Sequence, residues 1–292
     1  MAIARAELAR RARDVARRVV AEWLEPQATG PAGEDPAGAA AEPASPGWAT
    51  ALAGSGATGY RDRVSRLDLV AVGPTPAVER LRGRLAPHGE PGEPGSFHRL
   101  PGWAGGGHLA LLTWDELAAA AAHPTEAAVV LLGAAEPLLD PGGRLAAALA
   151  PLRELPPSWY RQQVARRYRA LRRRTASMAW NLRRGQALAF LAGFVQWLEH
   201  FLLLCRYADG EPPVDRKWLL QAAMRTSLGR QCRADLYALF SGLGEIATLG
   251  GSYDPKENRL YGTIARLHGQ LAAALRQRGL LDERDEAREE TP

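Results

Sequence analysis

Between two apolar runs lies Gly54-Ser55-Gly56-Ala57-Thr58-Gly59, the segment that most constrains what this 292-residue chain can fold into. The run before it, Trp48 to Ala53, reads as a short buried strand, and Leu67 to Val72 after it as a second strand with Asp68 near its start. Glycines at this density let the backbone turn tightly and point amide N–H groups outward, which makes a concavity suited to phosphate. Gly54, Ser55, Gly56 and Gly59 are therefore candidate phosphate contacts, with the Asp68 carboxylate a fixed distance further along the chain.

At these residues the chain resembles the nucleotidyltransferase domain of the DNA polymerase beta superfamily, the group that includes the kanamycin nucleotidyltransferases. The family signature is Gly-Ser followed about a dozen residues later by Ser-Asp-x-Asp or Ser-Asp-x-Glu. Gly54-Ser55 stands at the first element, Gly59 at the second glycine, Ser65 at the serine and Asp68 at the second carboxylate, while Arg66 takes the place of the first carboxylate. The resemblance implies a nucleoside triphosphate and Mg2+ as ligands, the metal on Asp68, and transfer of a nucleoside monophosphate to a small-molecule acceptor. An arginine cannot ligate a cation. Arg66 either grips phosphate in place of a metal or marks a decayed site, paired with Asp62 or Asp68. The family's third carboxylate falls on a later strand, here equivalent to His108–Leu112, which contains no acid; Asp115 and Glu116 follow it in what reads as the first turn of a helix.

The remaining pattern supports two domains. Residues 1–24 space apolar positions near 3.6 apart between arginines, an amphipathic helix expected to pack on the body of the protein. Residues 25–46 are rich in Pro, Ala and Gly and read as a linker or flap. Residues 47–152 alternate strands and helices, with Glu126 to Gly133 open to either reading, and Pro137 to Arg144 resembling the family's strand-Asp-Gly-helix turn. Residues 157–281 are wholly helical, with an almost all-round apolar helix from Gly185 to Tyr207 at the expected centre, and residues 282–292 form a frayed tail. A polar turn followed by Arg216-Lys217-Trp218 is similar to the helical substrate-binding domain of aminoglycoside-type relatives. The expected fold class is thus an α/β (α+β) nucleotidyltransferase-like mixed-sheet domain followed by an all-α helical bundle, with the ligand between them.

Charge and composition narrow the partners. A pI near 9.5 comes with a net charge of only +5, and lysine is confined to Lys217 and Lys256, a bias that points to GC-rich coding rather than to a polyanionic ligand. The arginines from Arg161 to Arg174 spread over several helix faces with little aromatic interleaving, which makes a nucleic-acid partner unlikely. No uninterrupted apolar run reaches membrane-spanning length and no secretory signal pattern is present, so the expectation is a cytoplasmic protein with no membrane partner. Cys205 and Cys232 read as reduced, packed thiols, and the six histidines show no metal spacing. Glu199 and His200, placed in the most apolar helix, are candidates for substrate contact or general base. Three functions stay open: an atypical transferase using Asp68, a catalytically inactive binder of nucleotide or partner, and a repurposed fold using Arg66 in a metal-independent step.

Overall fold

The computed structural model describes residues 5–19, 21, 47–58, 67–85, 97–99, 107–247 and 254–282. The chain divides into two compact units, Met1–Glu154 and Leu155–Pro292. The first carries a mixed sheet and the second is wholly helical, the class expected from the sequence.

Among the described residues the sheet unit has five strands: β1 (Ala49–Ala53), β2 (Leu67–Gly73), β3 (Phe97–Arg99), β4 (Gly107–Thr113) and β5 (Glu136–Leu139), in the spatial order β3-β4-β2-β1-β5. β1 runs antiparallel to both β2 and β5, β2 and β4 are parallel, and β3 is an antiparallel edge on β4. Both faces of the central strands are buried. Leu69, Ala71, Leu109 and Leu111 on one face pack with Ala77, Val78, Leu81 and Leu85 of α3 (Thr75–Leu85), as the two-residue side-chain period requires. Val70, Val72 and Ala110 on the other face are equally inaccessible to water. α1 (Arg5–Val19) adds Val19 to the first cluster and Ala12 to a second with Leu52, while Arg10, Arg13, Arg17 and Arg18 are exposed.

The glycine segment is one helical turn rather than an open loop: α2 runs Gly54–Thr58 directly from the end of β1. After β4, Thr113 starts α4 (Trp114–Ala122) with a reciprocal capping box, its hydroxyl accepting from the Glu116 N–H at 3.0 Å while the Glu116 carboxylate accepts from the Thr113 N–H at 2.7 Å. The ambiguous Glu126 stretch is helical, α5 (Glu126–Leu132), because the Thr125 hydroxyl caps it by accepting from Ala128 N–H. Asp140 ends β5 and its two oxygens accept from the N–H groups of Leu145 and Ala146 at 2.9 and 2.8 Å, opening α6 (Arg144–Arg153) across a 3-10 turn. Asp140 is a structural cap, as its turn sequence implied.

In the helical unit α7 (Pro157–Arg183) and α8 (Ala187–Ala208) form a long hairpin, followed by α9 (Leu219–Ala223), α10 (Ser227–Gln231), α11 (Arg233–Ala247) and α12 (Arg259–Gln277). Phe190, Phe194, Trp197 and Phe201 of α8 are buried, with Trp197 stacked on Phe194 and Phe201 at centroid distances of 6.3 and 5.2 Å. α12 contributes Leu260, Ile264, Leu267, Leu271 and Leu275 at helical spacing. Between Asp215 and Thr226 the chain is not one helix: residues 216–218 are a 3-10 turn, α9 ends at Ala223, and Thr226 starts α10 by accepting from Gly229 N–H at 3.0 Å. A threonine that caps a new helix competes with continuing the old one.

Candidate functional site

Three elements meet at the end of the sheet where β1 stops. In the antiparallel β1–β2 register Ala53 faces Asp68, so the next residue, Gly54, comes beside the Asp68 side chain. Gly54 has φ +59°, and a Cβ there would collide with the Asp68 carboxylate oxygen Oδ2. Glycine is thus required twice, once by the backbone and once by the neighbour. In the parallel β2–β4 register Asp68 faces His108, and Asp68 Oδ1 lies 3.0 Å from His108 Nδ1. The side chains are 14% and 26% exposed, so the pair is sheltered but open on one side.

The arrangement follows from equal offsets. Asp68 and His108 are each the second residue of a strand and are followed by apolar runs, Leu69 to Val72 and Leu109 to Leu112, and a parallel pairing in register sets them side by side. Sequence reasoning treated His108 as one of several scattered histidines; the matching offsets in the two runs were the signal that could have singled it out. With Nδ1–H donating to the carboxylate, the ring holds the tautomer whose Nε2 is basic; with both nitrogens protonated, the pair becomes an ion pair.

Of the remaining predicted residues, Gly56 lies in α2 beside Leu52, and Ser55 occupies the first turn of α2. Gly59, Ser65 and Arg66, with Asp62, lie outside the described residues. Glu199 lies in the helical unit, where the Arg216 guanidinium donates to its carboxylate. Beside it His200 Nδ1 stands 3.0 Å from Arg167 Nη1, which assigns that nitrogen as an acceptor.

Asp115 and Glu116 stand beyond the far end of β4, roughly 20 Å along the strand from the level of Asp68 at ~3.3 Å per residue. Glu116 serves another purpose there. Arg82 forks onto its two carboxylate oxygens at 2.9 and 2.8 Å and donates to Leu111 C=O at 2.7 Å, tying α3 to the start of α4. Burial acts to raise the Glu116 carboxyl, but the Arg82 fork and the Thr113 N–H outweigh it and hold the group below its ordinary value. His98, which faces Leu109 in the β3–β4 register, is lowered by burial and then by the Arg82 charge.

Among the described residues no three of His, Cys, Asp and Glu converge as a metal site. Magnesium takes hard oxygen donors in near-octahedral geometry, and a lone carboxylate already facing an imidazole does not fit a two-metal clamp.

No protein-family model matches the sequence, and no curated protein matches it. Among solved structures the chain is similar to a nucleotidyltransferase-like protein from Exiguobacterium sibiricum 255-15, at 14% identity and a TM-score of 0.46, over 92% of this chain and 76% of that one.

Proposed function

We propose that the sheet unit is a nucleotidyltransferase-like domain that binds a nucleotide without the metal-dependent transfer of a nucleoside monophosphate. The observation that carries this reading is the Asp68–His108 pair: where the resemblance implies acids on neighbouring strands converging on metal, the second strand supplies an imidazole. A histidine beside the remaining acid can offer an N–H or a positive charge to phosphate, where a second carboxylate would demand a cation. The support for nucleotide is the retained glycine-led turn after β1, with Gly54 in a conformation and a space that only glycine tolerates.

A second reading has the hydrogen bond itself in its favour. An aspartate holding one ring nitrogen of a histidine is the arrangement of an oriented general base, so the same pair suits a metal-independent proton transfer on a small metabolite.

The test is calorimetric titration of the four nucleoside triphosphates, with magnesium and with chelator, into the wild type, Asp68→Ala and His108→Ala. The expected result is binding that survives chelator, weakens about tenfold in His108→Ala, and releases no pyrophosphate with small hydroxyl- or amine-bearing acceptors. Binding that collapses with chelator and with Asp68→Ala would establish a metal-assisted transferase instead. Absence of binding under every condition would overturn the nucleotide reading and leave the general-base reading to be tested by substrate screening.

A further inference from the structure

The two halves of α8 differ. From Phe201 to Ala208 every residue is buried, whereas the first half turns Leu188, Ala189, Ala192, Val195 and Gln196 to solvent. Leu188 is 82% exposed and Val195 53%, an unusual state for such side chains in the most apolar helix of the chain. The spacing i, i+1, i+4, i+7, i+8 puts these five on one face. The opposite face is committed to α7, where Gly193 lies against Met178. Although α8 is long and apolar enough to cross a membrane, half of that window is buried inside the protein, which is the behaviour of a packed helix.

We propose that this stripe is a homodimer interface in which α8 pairs antiparallel with α8 of a second copy about a two-fold axis at Ala192. The stripe is self-complementary in the way such an axis requires. Taking Ala192 as the centre, Leu188 meets Gln196 of the other copy, Ala189 meets Val195, and Ala192 meets itself, so a small residue sits at the crossing where the backbones come closest.

Charge selects the direction of pairing. No charged residue occurs from Gly185 to Leu198; Arg183 and Arg184 close one end and Glu199 the other. Arg184 caps the end of α7 at the turn just before α8 begins at Ala187, and Glu199 stands seven residues after Ala192 on α8, so the antiparallel pair brings the arginine end of one copy to the glutamate end of the other. A parallel pair would set like against like, and an anionic lipid surface would find Glu199 at the edge of the stripe. Arg183 and Arg184 are held at the hairpin tip over the Trp180 ring, at 5.5 and 5.7 Å from its centroid. The Glu199 carboxylate, bound by Arg216, keeps 27% exposure and acceptor capacity for a second guanidinium.

The experiment is sedimentation equilibrium of the full chain over about 1 to 100 µM, a range that brackets a modest interface. The mass should rise from 31.5 kDa toward twice that value, and Leu188→Glu, at a solvent-facing site that does not bear on folding, should weaken the association at least about tenfold. Position 192 on the axis meets its own copy, so Ala192→Cys should give a covalent dimer on mild oxidation while Gln196→Cys alone should not. A mass of 31.5 kDa at every concentration would overturn the proposal. If that monomer also floats with vesicles containing anionic phospholipid and Leu188→Glu does not, the stripe belongs to a lipid surface. Cross-linking through Gln196→Cys but not Ala192→Cys would overturn the axis.

Discussion

The main cluster of the sheet unit is built, among the described residues, from Ala, Leu and Val on the strands, α1 and α3 together with Trp48, whereas the helical unit fills its centre with Phe190, Phe194, Trp197 and Phe201 from a single helix. In the first, backbone pairing dictates which side chains meet, and its polar chemistry stands where strands end: Asp68 and His108 at one end, Arg82 and Glu116 at the other. In the second, side-chain volume decides the packing, and polar ties join helix ends, as where Ser227 N–H and Oγ donate to Asp209, and helix flanks, as where Arg167 meets His200. The sheet unit should therefore be most sensitive to changes of backbone freedom and the helical unit to changes of side-chain size.

The sharpest way to break this contrast is at Trp197. Trp197→Ala is expected to cost ~3–5 kcal/mol in urea unfolding of the helical unit. Trp197→Phe should cost clearly less, because the indole N–H it removes is buried and finds no partner among the described residues. If both variants cost the same, volume is not what governs that core.

Gly54→Ala is the matching test in the sheet unit. It adds one carbon, yet it meets a positive φ and the Asp68 carboxylate together, for an expected loss of ~2–4 kcal/mol. Gly142→Ala, also at positive φ but with open space around its Cβ position, should cost only about 1 kcal/mol. The difference between the two measures the contact and not the dihedral.

Glu116 sharpens the account of the strand ends. Its folded pKa is held below the ordinary 4.5, so its stabilising contribution is present above that value and is lost as pH falls through the lower folded one. Glu116→Gln should destabilise by ~1–2 kcal/mol at neutral pH, and the gap from wild type should close as pH falls below 4.5 and through the lower folded value, followed by urea titrations at neutral and acidic pH. The smallest effect concerns the thiols. Burial drives the Cys205 thiol well above its ordinary value, the Cys232 and Asp209 charges adding to it, and burial takes Cys232 to about 11. Both should resist a thiol reagent at pH 8 in the native protein and react together once it is unfolded.

Legibility from sequence divided along the same line. β1, β2 and β4 announce themselves because their apolar runs are short and bounded by glycine or polar turns, and α8 because no other stretch is so apolar. β3 is three residues long at the sheet edge, too short to carry a period, and α5 is set by the Thr125 cap where the apolar run alone fits either structure. At the site, Gly54 and Asp68 were visible through local spacing. His108 was not, since its partner is distant in sequence and only the parallel register brings them together.

Asp68 fills the space above Gly54 with one carboxylate oxygen and meets His108 with the other, so the three positions are coupled through one side chain. A side chain at 54 evicts the carboxylate. A second acid at 108 sets two negative charges face to face until a cation comes to separate them. A single substitution at 54, 68 or 108 therefore reaches both of the others, and a change tolerated at one of them has to be answered at its neighbours.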